Sequence, residues 1–154
     1  MTPDVTNVGA ADWRSHIVGR INDGYEWLDF LTAIDRGTTI EVVVRLVNPE
    51  SVHGATIVTT IPAEDPVLDS IVPVAPGADW YEREAGEMFG ITFTGHPDPR
   101  PLLTRGDGPP PLRKSVPLPA RLETPWPGAD DEIGRAGSRR RAQPPGVLET
   151  WERE

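Results

Sequence analysis

Apolar positions along the chain change period several times, and each period predicts an element. Trp13, Ile17 and Ile21 recur four apart as one face of a helix. Trp27 or Leu28, Leu31 and Ile34 give a second helical face, with Asp35-Arg36-Gly37 as its stop. From Ile40 the period becomes two: Ile40, Val42, Val44 and Leu46 alternate with Glu41, Val43, Arg45 and Val47, and Ala55 to Ile61 is again β-rich. With Asn48-Pro49-Glu50 and Gly54 between them, these runs predict an antiparallel strand pair. Val67, Leu68 and Ile71 suit a brief helical segment before Pro73, Pro76 and Gly77 break the chain. Tyr81, Ala85, Met88 and Phe89 then fall at i, i+4, i+7 and i+8. Asp79 and Glu82 are spaced as a capping box ahead of that helix, and Gly90 stands where a left-handed terminal residue is wanted. Ile91 and Phe93 alternate with Thr92 and Thr94 as a short strand, after which Gly95 frees the backbone and Pro97 pushes His96 toward extended geometry. The order ααββααβ lacks a regular βαβ alternation. It predicts an α+β fold, a small antiparallel or mixed sheet with helices packed on one face.

Composition changes this picture mainly after residue 95. A chain of 154 residues has room for one core, but 18 prolines and 15 glycines are too many for regular structure throughout, and most of the late ones follow Pro97. Residues 1–95 are therefore read as the α+β domain and 96–154 as an extended, Pro-rich docking arm and tail. Few apolar residues with any period remain there to offset an ordering cost of about 1–2 kcal/mol per residue, so the arm needs a surface to lie on. Pro109-Pro110-Pro111 favours polyproline geometry, which lowers the entropy lost on docking. Arg139-Arg140-Arg141, followed by Val147-Leu148 and Trp151, fits either an anchor on a partner or anionic membrane surface or an unstructured tail.

Charge and residue types exclude several function classes. Absence of cysteine rules out disulfides, thiolate-ligated iron–sulfur clusters and a cysteine nucleophile. A net charge of -9 argues against general nucleic-acid binding. No apolar run approaches the ~18–20 residues that span a bilayer, and the start is unlike a signal peptide, so a soluble, cytoplasmic chain is expected. Glycine-rich phosphate loops are missing, so no loop of this kind cradles a dinucleotide or a triphosphate. His16, His53 and His96 lie on unrelated elements without metal-ligand spacing. Glu82 and Glu84 point to nearly opposite sides of a helix and cannot jointly flank a substrate. Glu87 with Arg83, and Arg83 with Asp79, read as surface charge pairs at i, i+4. A free-standing enzyme using Glu84, Glu87 and His96 thus has little support; His96 reads as a hydrogen-bonding turn residue on either side of an interface between subunits. Arg100, Arg113 and Lys114 could pair with acidic groups of a neighbour or belong to a solvated tail.

The run from Glu82 to Arg100, Glu-Arg-Glu, then Glu87-Met88-Phe89-Gly90-Ile91, Phe93 and Gly95-His96-Pro97-Asp98, resembles the signature of the small hydrophilic C subunit of respiratory complex I, the proton-pumping NADH:quinone oxidoreductase. Pro111-Leu112-Arg113-Lys114 with Pro117-Leu118 is similar to a later block of that family, and Trp27 to Asp35 to an early one. Related proteins occur in membrane-bound nickel–iron hydrogenases, which is the alternative assignment. Ala85, Gly86, Glu87, Pro99, Pro101, Ser115 and Val116 depart from the usual pattern. The resemblance implies an α+β domain on the cytoplasmic peripheral arm and a structural, assembly role with no catalytic, cofactor-binding or metal-binding residue of its own. Iron–sulfur clusters, flavin and quinone would sit on partner subunits, and membrane contact would be indirect. The implied partners are the large D subunit, which forms the quinone site, and the iron–sulfur subunits. They would be met through Glu82, Arg83, Glu84, Met88, Phe89, Gly90, Phe93, Gly95, His96, Pro97, Arg100, Leu112, Arg113 and Lys114.

Overall fold

Every second residue of the strand runs turns inward, and this builds the sheet. Ile40, Val42, Val44 and Leu46 of β3 (Thr39–Asn48) are buried, as are Ala55, Ile57 and Ile61 of β4 (His53–Pro62). These two strands pair antiparallel, as the alternation predicts. The computed structural model describes residues 4–104 and 108–117. In it β2 (Trp27–Asp35) pairs antiparallel with β3, and β1 (Asp4–Val8) runs parallel to β4, giving a mixed four-stranded sheet in the order β1-β4-β3-β2. A separate two-stranded parallel ribbon joins β5 (Val67–Asp69) to β6 (Thr92–Thr94).

Two helices cover one face. Trp13 and Ile17 of α1 (Trp13–Asn22) and Ala85 of α2 (Asp79–Phe89) share a single buried cluster with the inward residues of β2, β3 and β4. Full burial of a side chain such as Ile17 contributes about 1.5–3 kcal/mol. The opposite positions, Val43 and Val58 among them, remain partly exposed. The fold is therefore α+β with helices on one sheet face, in agreement with the periodicity.

Two expected elements differ, and one strand is not foreseen. The helix expected over Trp27 to Ile34 is the strand β2. A bulge between Leu28 and Phe30 adds one residue, so Leu28, opposite Leu46, and Leu31, opposite Val44, both face the core although three apart. An inserted residue in a strand thus imitates helical spacing. The brief helix expected at Val67 to Ile71 is β5 and the turn after it, with Leu68 alone facing inward on the strand. Strand β1 carries too little apolar alternation to be read from the sequence, and its parallel pairing to β4 forms it.

The Asp35-Arg36-Gly37 stop is real but closes a hairpin. Asp35 Oδ1 accepts the Gly37 amide at 2.6 Å, and Gly37 has φ 98, where a side chain would be strained. The β3–β4 connection is organised by Asn48 Oδ1, which accepts the amides of Glu50 and Ser51.

Candidate functional site

A turn of 3-10 helix, Pro76–Ala78, feeds directly into α2, so Asp79 already has helical angles of φ -49 and ψ -55. An N-cap residue ordinarily needs an extended backbone, and the expected capping box between Asp79 and Glu82 does not form. Glu82 turns inward instead: its Oε1 accepts the Ile71 amide at 2.6 Å, and the residue has 0% exposure. Oε2 makes no hydrogen bond of ordinary geometry, with His96 Nε2 at 3.9 Å and the Ser70 hydroxyl beside it. Burial pushes the Glu82 carboxyl above the ordinary glutamate value, opposed by Ser70, the Ile71 amide, His96 and Arg14.

The charged residues that follow on α2 also close on main-chain atoms. Arg83 Nε donates to the Arg100 carbonyl at 2.9 Å and its Nη2 to that of Pro101 at 3.0 Å. Glu87 accepts the amides of Leu102 and Leu103, each at 2.7 Å. Desolvation raises the Glu87 pKa, but the amides of Leu103, Leu102 and Thr104 outweigh it and hold the carboxyl below its ordinary value. The i, i+4 pairings expected among Asp79, Arg83 and Glu87 are absent, because both Arg83 and Glu87 reach across to the returning segment. Asp98 is gripped by Arg100 through two contacts of 2.7 Å, which keeps its carboxyl well below the usual range.

His96 is the turn residue that the sequence predicts. Its side chain is 4% exposed, and Nδ1 accepts the Asp98 amide at 3.0 Å. That bond leaves Nε2 as the protonated nitrogen, directed at the Asp79 carbonyl at 3.3 Å and Asp79 Oδ1 at 3.4 Å. Gly95, at φ 80, supplies the left-handed residue before it. Gly90 ends α2 at φ 74, as predicted, and Pro110 Cγ lies 2.9 Å from where a Cβ would stand, so space and conformation both require glycine.

The later block returns to the same helix. Leu112 N donates to the Met88 carbonyl at 3.0 Å, and Arg113 donates to the carbonyls of Phe89 and Ala63 while its Nε lies 3.4 Å from Asp35 Oδ2. Asp35 Oδ2 accepts the Lys114 amide at 2.8 Å. The amides of Gly37 and then Lys114 hold the Asp35 carboxyl below its ordinary value. Pro110 and Arg113 close a turn, so the three prolines do not run on as one polyproline helix. Residues to Pro117 thereby belong to one compact unit. Leu118, Arg139 to Arg141 and Trp151 lie outside the described residues.

Of the residues singled out from the sequence, Glu82 and His96 are brought together, Arg83 and Arg113 each brace the chain from within, and Gly90 ends α2. Phe93 packs at the edge of the core, Met88 and Phe89 offer carbonyls to the return segment, and Glu84, Pro97, Arg100, Leu112 and Lys114 are exposed. Sequence reading missed Asp35 as the anchor of Lys114, 79 positions away. Its place in an apparent helix stop concealed it. Among the described residues no group of His, Asp and Glu is arranged to hold a metal ion, and no helix is long and apolar enough to cross a membrane.

A mixed sheet covered on one face, with a helix and a return segment stapled by charged side chains, defines a small α+β domain. The model of the family described as "Respiratory-chain NADH dehydrogenase, 30 Kd subunit" matches residues 7–122, and the chain belongs to that family. It is 41% identical over 97 residues to the C subunit of NADH-quinone oxidoreductase from Rhodopseudomonas palustris (strain TIE-1), covering 60% of this chain and 47% of that protein. The chain thus spans about half the length of the curated relatives it matches. A Methylococcus capsulatus protein named as the C/D subunit of NADH-quinone oxidoreductase is 37% identical over 131 residues, 75% of this chain and 22% of that one. Among solved structures, a chain of the membrane-bound sulfane sulfur reductase, an archaeal respiratory membrane complex, shares the fold with a TM-score of 0.66 at 24% identity, over 77% of this chain and 75% of that chain.

Proposed function

We propose that this chain is a structural subunit of a complex I-type NADH:quinone oxidoreductase, carrying no catalytic residue of its own. It sits on the cytoplasmic side as part of the peripheral arm and docks on the large D subunit. NADH, flavin, iron–sulfur clusters and quinone are bound by neighbouring subunits, and this chain fixes their relative placement. The observation that carries the reading is the fate of the charged signature residues: Glu82, Arg83, Glu87 and Arg113 all bond to main-chain atoms of the chain itself. Groups fixed in that way shape a surface, and Glu82, whose second oxygen is left without a hydrogen bond, is sealed from solvent at 0% exposure, out of reach of a substrate. The large D subunit is favoured as the partner because the Methylococcus capsulatus relative joins the names C and D in one polypeptide, which would hold the two parts side by side.

The test is a mild-detergent purification of the tagged protein from native membranes, with mass spectrometry of what accompanies it. Recovery of a large subunit together with NADH- and quinone-module subunits is expected; a companion with nickel-ligating cysteines would move the chain to a hydrogenase-type complex, and a lone chain would overturn the docking role. A second arm addresses catalysis. Fully assembled complex carrying Phe89→Ala or Arg100→Ala should keep its turnover per assembled particle, and loss of turnover at normal subunit stoichiometry would show that this chain takes part in the chemistry.

A further inference from the structure

The proposed docking role leaves open which surface makes the contact, and α2 distinguishes one of its faces. Glu82, Arg83 and Glu87 are all engaged by the chain itself, whereas Glu84 is exposed and, among the described residues, has no hydrogen-bond or ion-pair partner. Trp80 lies one helical turn before it on the same face and is 69% exposed. Across from them stands Leu103, 65% exposed, on the return segment. Trp80, Glu84 and Leu103, with Tyr81, Leu102 and Gly77 at the base, line a cleft of about 460 Å³. Its two walls are fixed before any partner arrives: one is the helix, and the other is tied to it by Glu87, which holds the amides of Leu102 and Leu103. Walls whose backbone is preorganised in this way lose little main-chain entropy on binding.

We propose that this cleft receives an arginine side chain of the neighbouring large subunit. The inference rests on the docking role above and assigns it a contact point. A guanidinium can lie flat on an indole face while its forked donors meet a carboxylate, and its aliphatic stem covers apolar surface. Trp80, Glu84 and Leu103 supply those three partners in one place. Charge complementarity points the same way, since the chain carries a net charge of -9 and the cleft's one charged group, Glu84, is an unpaired acid among the described residues. An aromatic anchor beside an arginine–carboxylate pair is also a composition in which interface energy concentrates.

The experiment compares complex purified through the tagged full-length chain in four forms: wild type, Trp80→Ala, Glu84→Arg and, as a surface control outside the cleft lining, Val52→Asn. Thermal melts of the isolated full-length variants accompany the purifications to show that each folds. Expected is a fall of about tenfold or more in recovered large subunit for Trp80→Ala and Glu84→Arg, with melting temperatures close to wild type and full recovery for the control. A photo-crosslinker at position 103 should capture a large-subunit peptide containing arginine. Wild-type recovery in both cleft variants overturns this inference while leaving the docking role intact. Crosslinking to a second copy of this chain, or to a lipid, overturns it in favour of that occupant. Failure of the wild-type chain to recover any oxidoreductase component overturns the docking role itself, and the cleft assignment with it.

Discussion

At the scale of single residues, the sequence shows which side chains matter better than it shows what they touch. Glu82 belongs to a legible motif, yet its partner, the Ile71 amide, lies eleven positions back in a stretch that reads as a different element. Its burial has a pH signature. Because the folded-state pKa is raised, the folded protein holds this proton more tightly than the unfolded chain does. The stability so gained is fully present below the unfolded value near 4.5 and is lost as pH rises through the folded pKa. Glu82→Gln keeps an acceptor for Ile71 and removes the titration, so the variant should match wild type near pH 4 and exceed it near pH 8 in urea titrations. A wild type more stable than the variant at pH 8 would mean that His96 and Arg14 hold Glu82 ionised. Val52 gives a second prediction of this scale. It is a β-branched residue at φ 57 and 75% exposed, so its side chain gains little in return for the strained backbone. Val52→Gly should raise stability by about 1 kcal/mol, read from the denaturation midpoint; a decrease would show that the turn is not strained.

At the scale of elements, strict periods are readable and interrupted ones are not. β3, β4, α1 and α2 keep their periods from end to end. β2 reads as a helix because the bulge at Asp29 shifts its phase by one, placing Leu28 and Leu31 on the same face. β1 and β5 are short strands formed by partners distant in sequence, which no local window contains. The return segment is legible as a block only through family resemblance, since its apolar residues have no period and its bonds run from Arg113 to three separate elements. Those bonds predict a large effect for a partly exposed residue. Removing Arg113 leaves the carbonyls of Phe89 and Ala63 without this donor and deprives the Asp35 carboxylate, 4% exposed, of its cation. Arg113→Ala should cost about 2–4 kcal/mol by urea denaturation, and Arg113→Lys should recover only part of it, since one ammonium cannot span the fork. A loss below about 0.5 kcal/mol would show that the bonds are replaced by water without penalty.

At the scale of the whole molecule, the question is where the self-sufficient unit ends. Composition places the end of the folded domain at residue 95, and everything after it in an arm that needs a neighbour. The bonds in the described part of that arm make a different expectation for its first third. Glu87 accepts the amides of Leu102 and Leu103, Leu112 donates to Met88, and Lys114 donates to Asp35, so residues 96–117 complete hydrogen-bonding that α2 and the β2–β3 hairpin would otherwise leave open. A chain ending at Pro117 should therefore melt within a few degrees of the full-length protein. One ending at Gly95 should lose about 3–5 kcal/mol, because Asp35 and Glu87 each forfeit main-chain donors and Asp35 also forfeits Arg113. Thermal melts of the two truncations, followed by circular dichroism, compare these expectations directly. If the chain ending at Gly95 melts with the full-length protein, the first 95 residues are the domain and the return segment merely rests on it. If it unfolds early while the longer truncation does not, the signature is a device for closing the chain upon itself, and the surface offered to a partner exists only once residues 96–117 are in place. The second outcome would also explain why the described residues after α2, whose one regular element is the short strand β6, need both blocks of charged residues: the first anchors the return, and the second locks it.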